Sequence, residues 1–422
     1  MLPSRFSIIL TLAVCATALG VSAFASGREK VLYTFKGGND GAIPAATLVL
    51  DAAGNLYGTT IEGGGASTCV PQGCGTVFEL SPSGDGKWRE KVLYAFNGGA
   101  DGANPESGLI LDAAGNLYGT TPYGGNSGSS CGYGGCGTVF ELTPNADGSW
   151  REILLYAFRG NPDGAGPVGT LVFDKAGNLY GTTYEGGDYQ GTVFKLSPPT
   201  GGQDSWTESV IYTFRGGPTD AGSPLAGLVF DSEGKFYGTT YQGGNGHCGL
   251  GCGAVFELQE VDGSWKETVL YSFQGGGNGR YPTGGLTVDA TGNFYGTLDS
   301  GGNGYGAAVK LKKVGSVWKE TMIYDFCSHN NCSDGANPVG LTFDSSGKLY
   351  GVTFAGGSAN GGVLFRLQDS SSGWMERVLY TFPGYQGDGI NPTAAMIFDG
   401  NGNMYGPTSS LNLNGNIVEF TP

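Results

Sequence analysis

DAAGNLYGTT spans residues 51–60 and recurs letter for letter at 112–121, and DKAGNLYGTT (174–183) and DSEGKFYGTT (231–240) continue the series. Three weaker copies start at Asp289, Asp344 and Asp399. The segment reads as the turn and second strand of a β-hairpin. Asp accepts hydrogen bonds from the turn's N–H groups, Gly takes φ > 0 at little cost, and the aromatic stretch after the turn is strand-forming.

Working outward, three other motifs keep fixed order around each copy. An apolar run ends in the turn Asp: LVLD (48–51), LILD (109–112), LVFD (171–174 and 228–231), LTVD (286–289), LTFD (341–344) and MIFD (396–399). After the hairpin comes GTVFEL from Gly75, echoed from Gly137, Gly191, Gly253, Gly306, Gly362 and, weakly, Gly415. Last comes WxExVLYxF, as in WREKVLYAF (88–96), whose tyrosines lie at 33, 94, 156, 212, 271, 324 and 380. Each motif is a short run rich in β-branched and aromatic residues, bounded by turn formers, and therefore a strand. Four antiparallel strands every 53–62 residues is the size of a propeller blade.

The ends of the repeat set its closure. The first strand signal, EKVLYTF (29–35), is a fourth motif with nothing before it to pair with, and the last, GNIVEF (415–420), is a third motif with no fourth to follow. If the orphan completes the last blade, no strand edge is left open. The reading is an all-β, seven-bladed β-propeller of four antiparallel strands per blade, closed by its N-terminal strand, with residues 26–422 as one domain. All six tryptophans (88, 150, 206, 265, 318, 374) begin fourth motifs, and only the N-terminal copy lacks one.

The combination DxxGNLYGTT, GTVFEL and WxExVLYxF resembles the GloVer tandem-repeat family of exported bacterial proteins, over essentially all of residues 28–420. The resemblance implies an exported repeat protein and names no activity; members differ in C-terminal anchoring, and the ending Phe420-Thr421-Pro422 carries no anchor-like tail, so release or periplasmic residence is expected. The hairpin D-x-x-G-N-L-Y is also similar, more remotely, to NHL-type and gluconolactonase-like propellers.

Residues 1–25 read as a secretory signal peptide: Arg5, an apolar run to about Ala23, then Ala23-Phe24-Ala25 with cleavage after Ala25. The alternative, a lipoprotein modified at Cys15, suits less well because bulky Val14 precedes the cysteine. No later segment approaches 18 uninterrupted apolar residues, so no membrane span is expected. Without Arg5 the charge is 21 basic against 37 acidic, or −16, which argues against nucleic acid or anionic lipid as partners. A monomer is expected.

Eight cysteines form four local pairs, Cys69/Cys74, Cys131/Cys136, Cys248/Cys252 and Cys327/Cys332. In an exported chain these read as disulfides. Metal binding is the rival, because His247 adjoins Cys248 and His329 lies between Cys327 and Cys332. With the first motif innermost, all four pairs fall on one face, where loop length also varies most; that is where a repeat protein binds.

The same face carries Tyr123, Tyr184, Tyr241 and Phe354 beside Gly-Gly, with Ile61, Asp299 and Ser409 at comparable positions and Glu62, Glu185 and Gln242 nearby. These aromatics either pack beneath the glycine-rich loops or stack on sugar rings. The entrances to the inner strands are small and apolar, with Glu106 as the lone ionisable group. The Asp residues at 40, 101, 163, 220, 334 and 388 suit turns better than Ca²⁺. No cofactor, metal site or catalytic set is expected. Two functions remain: a non-catalytic binding or scaffold propeller recognising a glycan or protein through the variable face, or a carbohydrate-active or lactone-type enzyme (hydrolase or lyase) using Glu62, Glu106, Glu185 and Asp299.

Overall fold

A computed structural model describes residues 28–69, 72–125, 131, 134–201, 205–383, 389–409 and 414–421. The signal-peptide reading of residues 1–25 and the turn assigned to Asp388 lie outside these residues. The chain is a seven-bladed β-propeller. In the second blade the order from rim to axis is Trp150–Ala157, Thr138–Pro144, Leu117–Thr121 and Ile110–Leu111, all antiparallel, and the other blades repeat it. The short inner strands face the axis, as the order of motifs predicts.

The seventh blade takes its outer strand from the start of the chain. Arg28–Thr34 pairs antiparallel with Asn416–Thr421, from Arg28 opposite Thr421 to Thr34 opposite Asn416. The hydrophobic core lies in seven clusters between neighbouring blades. A phenylalanine ending each outer strand meets one from the third strand of the next blade edge-on or tilted. Phe96–Phe140 (5.1 Å) and Phe158–Phe194 (5.0 Å) are examples, and Phe35–Phe78 (5.0 Å) joins the closing strand to the first blade. Only the seam between the fourth and fifth blades lacks such a pair, because Val309 stands at the third-strand position.

The hairpin motif explains its own spelling. Asp51 accepts the N–H groups of Ala53 and Asn55 (both 2.8 Å), the Asn55 amide (2.8 Å) and the Tyr57 hydroxyl (3.1 Å). Burial alone would raise this carboxyl, but the Asn55 and Tyr57 hydrogen bonds outweigh it and hold the acid below its ordinary range. Gly58 lies so close to Phe78 that a Cβ there would come within 2.6 Å of the ring. Aromatic thickness and the missing side chain are two halves of one contact.

A second device joins blades at the loop-bearing face. The residue before the proline that opens each inner strand has φ between 48° and 63°: Ile43, Asn104, Gly166, Ser223, Tyr281, Asn337 and Asn391. Its N–H reaches back to the preceding blade, as in Asn104 to the Cys74 carbonyl (2.7 Å), Tyr281 to that of Cys252 (2.8 Å) and Ile43 to that of Asn414 (2.8 Å). Left-handed backbone is ordinary for Gly and Asn, and unfavourable for Ile43 and Tyr281.

Candidate ligand-binding face

The four pairs Cys69–Cys74, Cys131–Cys136, Cys248–Cys252 and Cys327–Cys332 are disulfide-bonded, as their spacing predicts. Cys69 and Cys74 lie against Gly98, and Cys248 and Cys252 against Gly275, so loops between second and third strands touch loops entering the next blade. That contact puts both loop classes on one face.

The four bridges lie at this face, but their sulfurs sit at different depths. Cys136 is fully buried and packs in the core cluster with Val139, Phe158 and Ala165, and its carbonyl accepts the Gly166 N–H (3.0 Å). Cys74 and Cys252 are buried in the same way in their own clusters. Each stands directly before the glycine that opens a third strand, and that strand runs into the packing between blades. The second cysteine of these three pairs is therefore a core anchor, and only the first lies in the variable loop. The bridges brace the loops against the blades.

Tyrosines 33, 94, 156, 212 and 324 donate hydroxyls to Asp40, Asp101, Asp163, Asp220 and Asp334 at 2.6–3.1 Å. The same carboxylates cap backbone N–H groups, as Asp101 does for Asn97 (2.9 Å). These aspartates are turn and strut residues. Facing each pair is the Glu of the next blade's WxE motif, beside which a carboxylate of the preceding blade sits. Burial first, and then the charge of Asp40, Asp101 and Asp163 respectively, pushes Glu90, Glu152 and Glu208 up to about 7. Burial and Asp220 push Glu267, and burial and Asp334 push Glu376, to about 8. The fifth blade carries Asn278 where the others have Asp, and there Tyr271 turns to Glu320 Oε2 (3.3 Å). At the closing seam Tyr380 donates to Glu29 Oε2 (2.5 Å). The repeated acids are thus consumed by blade-to-blade contacts.

The seven rim residues expected from the sequence divide by sector. Tyr184 and Glu185 line a groove of about 580 Å³ with Asn161, Tyr189, Gln190, Ser223 and Gln242. Tyr241, the neighbour of Gln242, stacks on Tyr281 with centroids 4.6 Å apart and planes at 17°. The guanidinium of Arg280 lies 5.1 Å from the Tyr281 centroid. Burial, then Asp299, Tyr281 and Tyr184, raise the Tyr241 hydroxyl, against the pull of Arg280. Tyr184, Tyr241, Asp299 and Glu185 therefore belong to one sector over the third to fifth blades.

The others stand apart. Tyr123 is 48% exposed and lies against Gly134 in the second blade. Phe354, 44% exposed, is in the sixth blade, where its carbonyl accepts from the Asn391 amide (2.6 Å). Glu62 ends the second strand of the first blade, opposite Ala42.

Tyr281 and Tyr189 escaped the sequence reading. Tyr281 sits at a position held elsewhere by Asn, Ser, Gly or Ile, and Tyr189 lies in a seven-residue loop matched in length by the fifth blade alone. Both have left-handed backbone (φ 59° and 72°), and Tyr189 is 80% exposed. The Tyr281 backbone is the one shared by the residue before the proline at every seam, whereas Tyr189 takes it within its own loop.

The axial cavity, about 440 Å³, is lined by Ala, Gly, Thr and aliphatic residues from every blade. Glu106 is its one carboxyl among the described residues, and burial raises it. The rim groove contains Glu185 and neither cavity contains a second of the four acids considered for catalysis.

A model of the Gloeobacter/Verrucomicrobia repeat matches residues 23–250, 128–333 and 190–420. The chain belongs to this repeat family. No curated protein matches it in sequence. Among solved structures it is similar to the extracellular domain described for a putative one-component system of B. thetaiotaomicron, with TM-score 0.56 and 13% identity. That match covers 94% of this chain and 42% of the other, so the repeat-family chain spans well under half the length of that neighbour. A Thermus thermophilus protein described as an oxidoreductase (glucose dehydrogenase) matches at TM-score 0.40 and 14% identity, over 94% of this chain and all of the other. The first likeness is one of propeller fold.

Proposed function

We propose that the protein is an exported, non-catalytic binding propeller that takes a glycan in the rim groove over the third to fifth blades. The observation that carries this reading is the groove itself. Tyr184 and Tyr189 line it beside the amides of Asn161, Gln190 and Gln242 and the carboxylate of Glu185, with the Tyr241–Tyr281 stack alongside. Aromatic faces with amide and carboxylate groups around them suit pyranose rings, which offer C–H faces and hydroxyl edges. Four disulfides fit an oxidising compartment, and the signal-peptide reading of residues 1–25 fits export. An acidic surface makes nucleic acid an unsuitable ligand.

The test is a glycan-array screen of the purified protein in parallel with a panel of hydrolase and lyase substrates. Binding to a restricted glycan set without turnover is expected. Turnover of any substrate, or a flat array, would remove the reading.

A further inference from the structure

The rim groove over the third to fifth blades holds one charged side chain among its described lining residues, the carboxylate of Glu185. The rest of the wall is made of the Tyr184 and Tyr189 rings and of neutral groups such as Gln190, Ser223 and Gln242. By sequence, the third blade alone sets an aromatic directly before an acid at this point: Tyr184-Glu185 stands against Tyr241-Gln242 and Phe354-Ala355. Two hydrogen bonds pin the Glu185 backbone to Ala165, from the Glu185 N–H to the Ala165 carbonyl (3.0 Å) and from the Ala165 N–H to the Glu185 carbonyl (2.8 Å). The backbone is thus fixed while the side chain stays exposed.

The Glu185 carboxylate has neither a hydrogen bond nor an ion pair with any described residue. The arginines of the loops entering the third, fourth and fifth blades are each turned to another group. Arg159 bonds Asp163 (3.2 Å) and the Tyr156 hydroxyl (2.9 Å), Arg215 lies 3.9 Å from Asp188, and Arg280 covers the Tyr281 ring at 5.1 Å. None of the three lines the groove. Carboxylate and tyrosine faces select the same sign of charge. The first attracts a cation directly, and the second attracts one through the ring quadrupole. The amide oxygens of Gln190 and Gln242 add acceptors for an N–H donor. A uronate or sulfate group would instead face Glu185 with no arginine in the groove to offset it, on a chain of formal net charge −15.

We propose that the glycan taken by this groove carries free amino groups, as a hexosamine polymer without its N-acetyl groups does, with an ammonium seated between Glu185 and the tyrosine rings. The inference rests on the glycan-binding reading of the groove and adds the ligand's charge to it. An acetamide in the same place would leave the carboxylate without a partner, and a hydroxyl would meet it with a neutral hydrogen bond only.

The probes are three trisaccharides of one linkage that differ at C2: chitotriose with ammonium groups, triacetylchitotriose with acetamides and cellotriose with hydroxyls. Calorimetric titration into the purified protein at mildly acidic pH, where the amines are charged, is expected to show chitotriose binding about fivefold or more tighter than either neutral probe. Raising the ionic strength should erase much of that margin. Glu185→Gln is expected to bring chitotriose down to the cellotriose level and leave cellotriose unchanged. Glu62→Gln, which removes the same charge in the first blade, keeps the preference. Chitotriose binding no tighter than cellotriose, or a preference that survives in folded Glu185→Gln protein, would overturn the assignment. Array hits that all lack amino groups would overturn it too while leaving the groove a glycan site, whereas a flat array removes both.

Discussion

Gly415, at the start of the last strand, lies against Pro44 at the entrance to the first blade, and a side chain on Gly415 would collide with the proline ring. The same contact recurs at every seam, from Gly75 with Pro105 to Gly362 with Pro392, with a built Cβ within 3.0 Å of the proline Cδ each time. The ring therefore closes through the joint that is used between all other blades. Gly415 also has φ 86°.

Gly415→Ala is accordingly expected to destabilise the protein well beyond Gly54→Ala. Gly54 has φ 88° but open space around it, so alanine there meets only the backbone penalty of about 1–2 kcal/mol. Chemical denaturation followed by circular dichroism checks the difference. Equal losses would show that the Gly–Pro joint bears no load.

The seam glutamates make stability depend on pH. Glu90, Glu152 and Glu208, pushed up to about 7, and Glu267 and Glu376, pushed to about 8, hold protons in the folded state that the unfolded chain releases near 4.5. Their contribution is fully present below that pH and is lost as pH rises through 7–8. The turn aspartates act oppositely. Asp51, Asp112 and Asp174 are lowered, burial being outweighed by the hydrogen bonds from Asn55, Asn116 and Asn178, so their contribution is lost as pH falls through and below 3.8. Maximal stability is expected near pH 4–4.5, between those two ranges. Melting temperatures from pH 4 to 9 test this, and Glu267→Gln should flatten the alkaline decline.

Removal of a ring at a seam should cost more than any loop change. Phe140→Ala deletes a fully buried side chain that meets Phe96 and Gly119, and is expected to lose about 3–5 kcal/mol. Phe354→Ala, at an exposed rim position, should be within about 0.5 kcal/mol of the parent. Denaturant midpoints compare the two directly.

Rim residues should separate by sector in ligand binding. Tyr184→Ala and Tyr241→Ala are each expected to weaken the glycan selected on the array about tenfold or more, whereas Tyr123→Ala and Glu62→Gln leave it unchanged. Surface plasmon resonance gives the ratios. An equal effect from Tyr123→Ala would move the site away from the groove.

Reduction of the four disulfides is expected to lower stability by about 2 kcal/mol per bridge at most, because each closes a loop only four or five residues apart in sequence. The strand signal in circular dichroism should survive at room temperature, since no bridge joins two blades.

The fold was legible because each strand is spelled seven times, so that Asp51, Gly58 and Tyr57 declare their roles by recurrence. The glutamates of the fourth motif recur just as regularly at 29, 90, 152, 208, 267, 320 and 376. Their role was hidden because an acidic residue on an outer strand reads as solvated, and only packing shows a carboxyl wedged beside the previous blade's aspartate. Cys136 was legible only in part: its spacing from Cys131 declares the bridge, but spacing does not say how deep a sulfur sits. The rim sector was half legible. Tyr184 and Tyr241 share a motif position, but Tyr281 reaches Tyr241 from a different loop of the next blade. One-dimensional spacing does not bring those loops together.

Arg28–Thr34 must wait for Asn416–Thr421 before the last blade exists. A chain emerging N-terminus first, from a ribosome or through a membrane pore, keeps its earliest strand in reserve until nearly four hundred later residues have followed. Closing so long a span adds little entropy beyond a shorter one, but the search for the partner is slow. Blades can assemble vectorially behind it as an open arc, and the finished circle is postponed until delivery is complete.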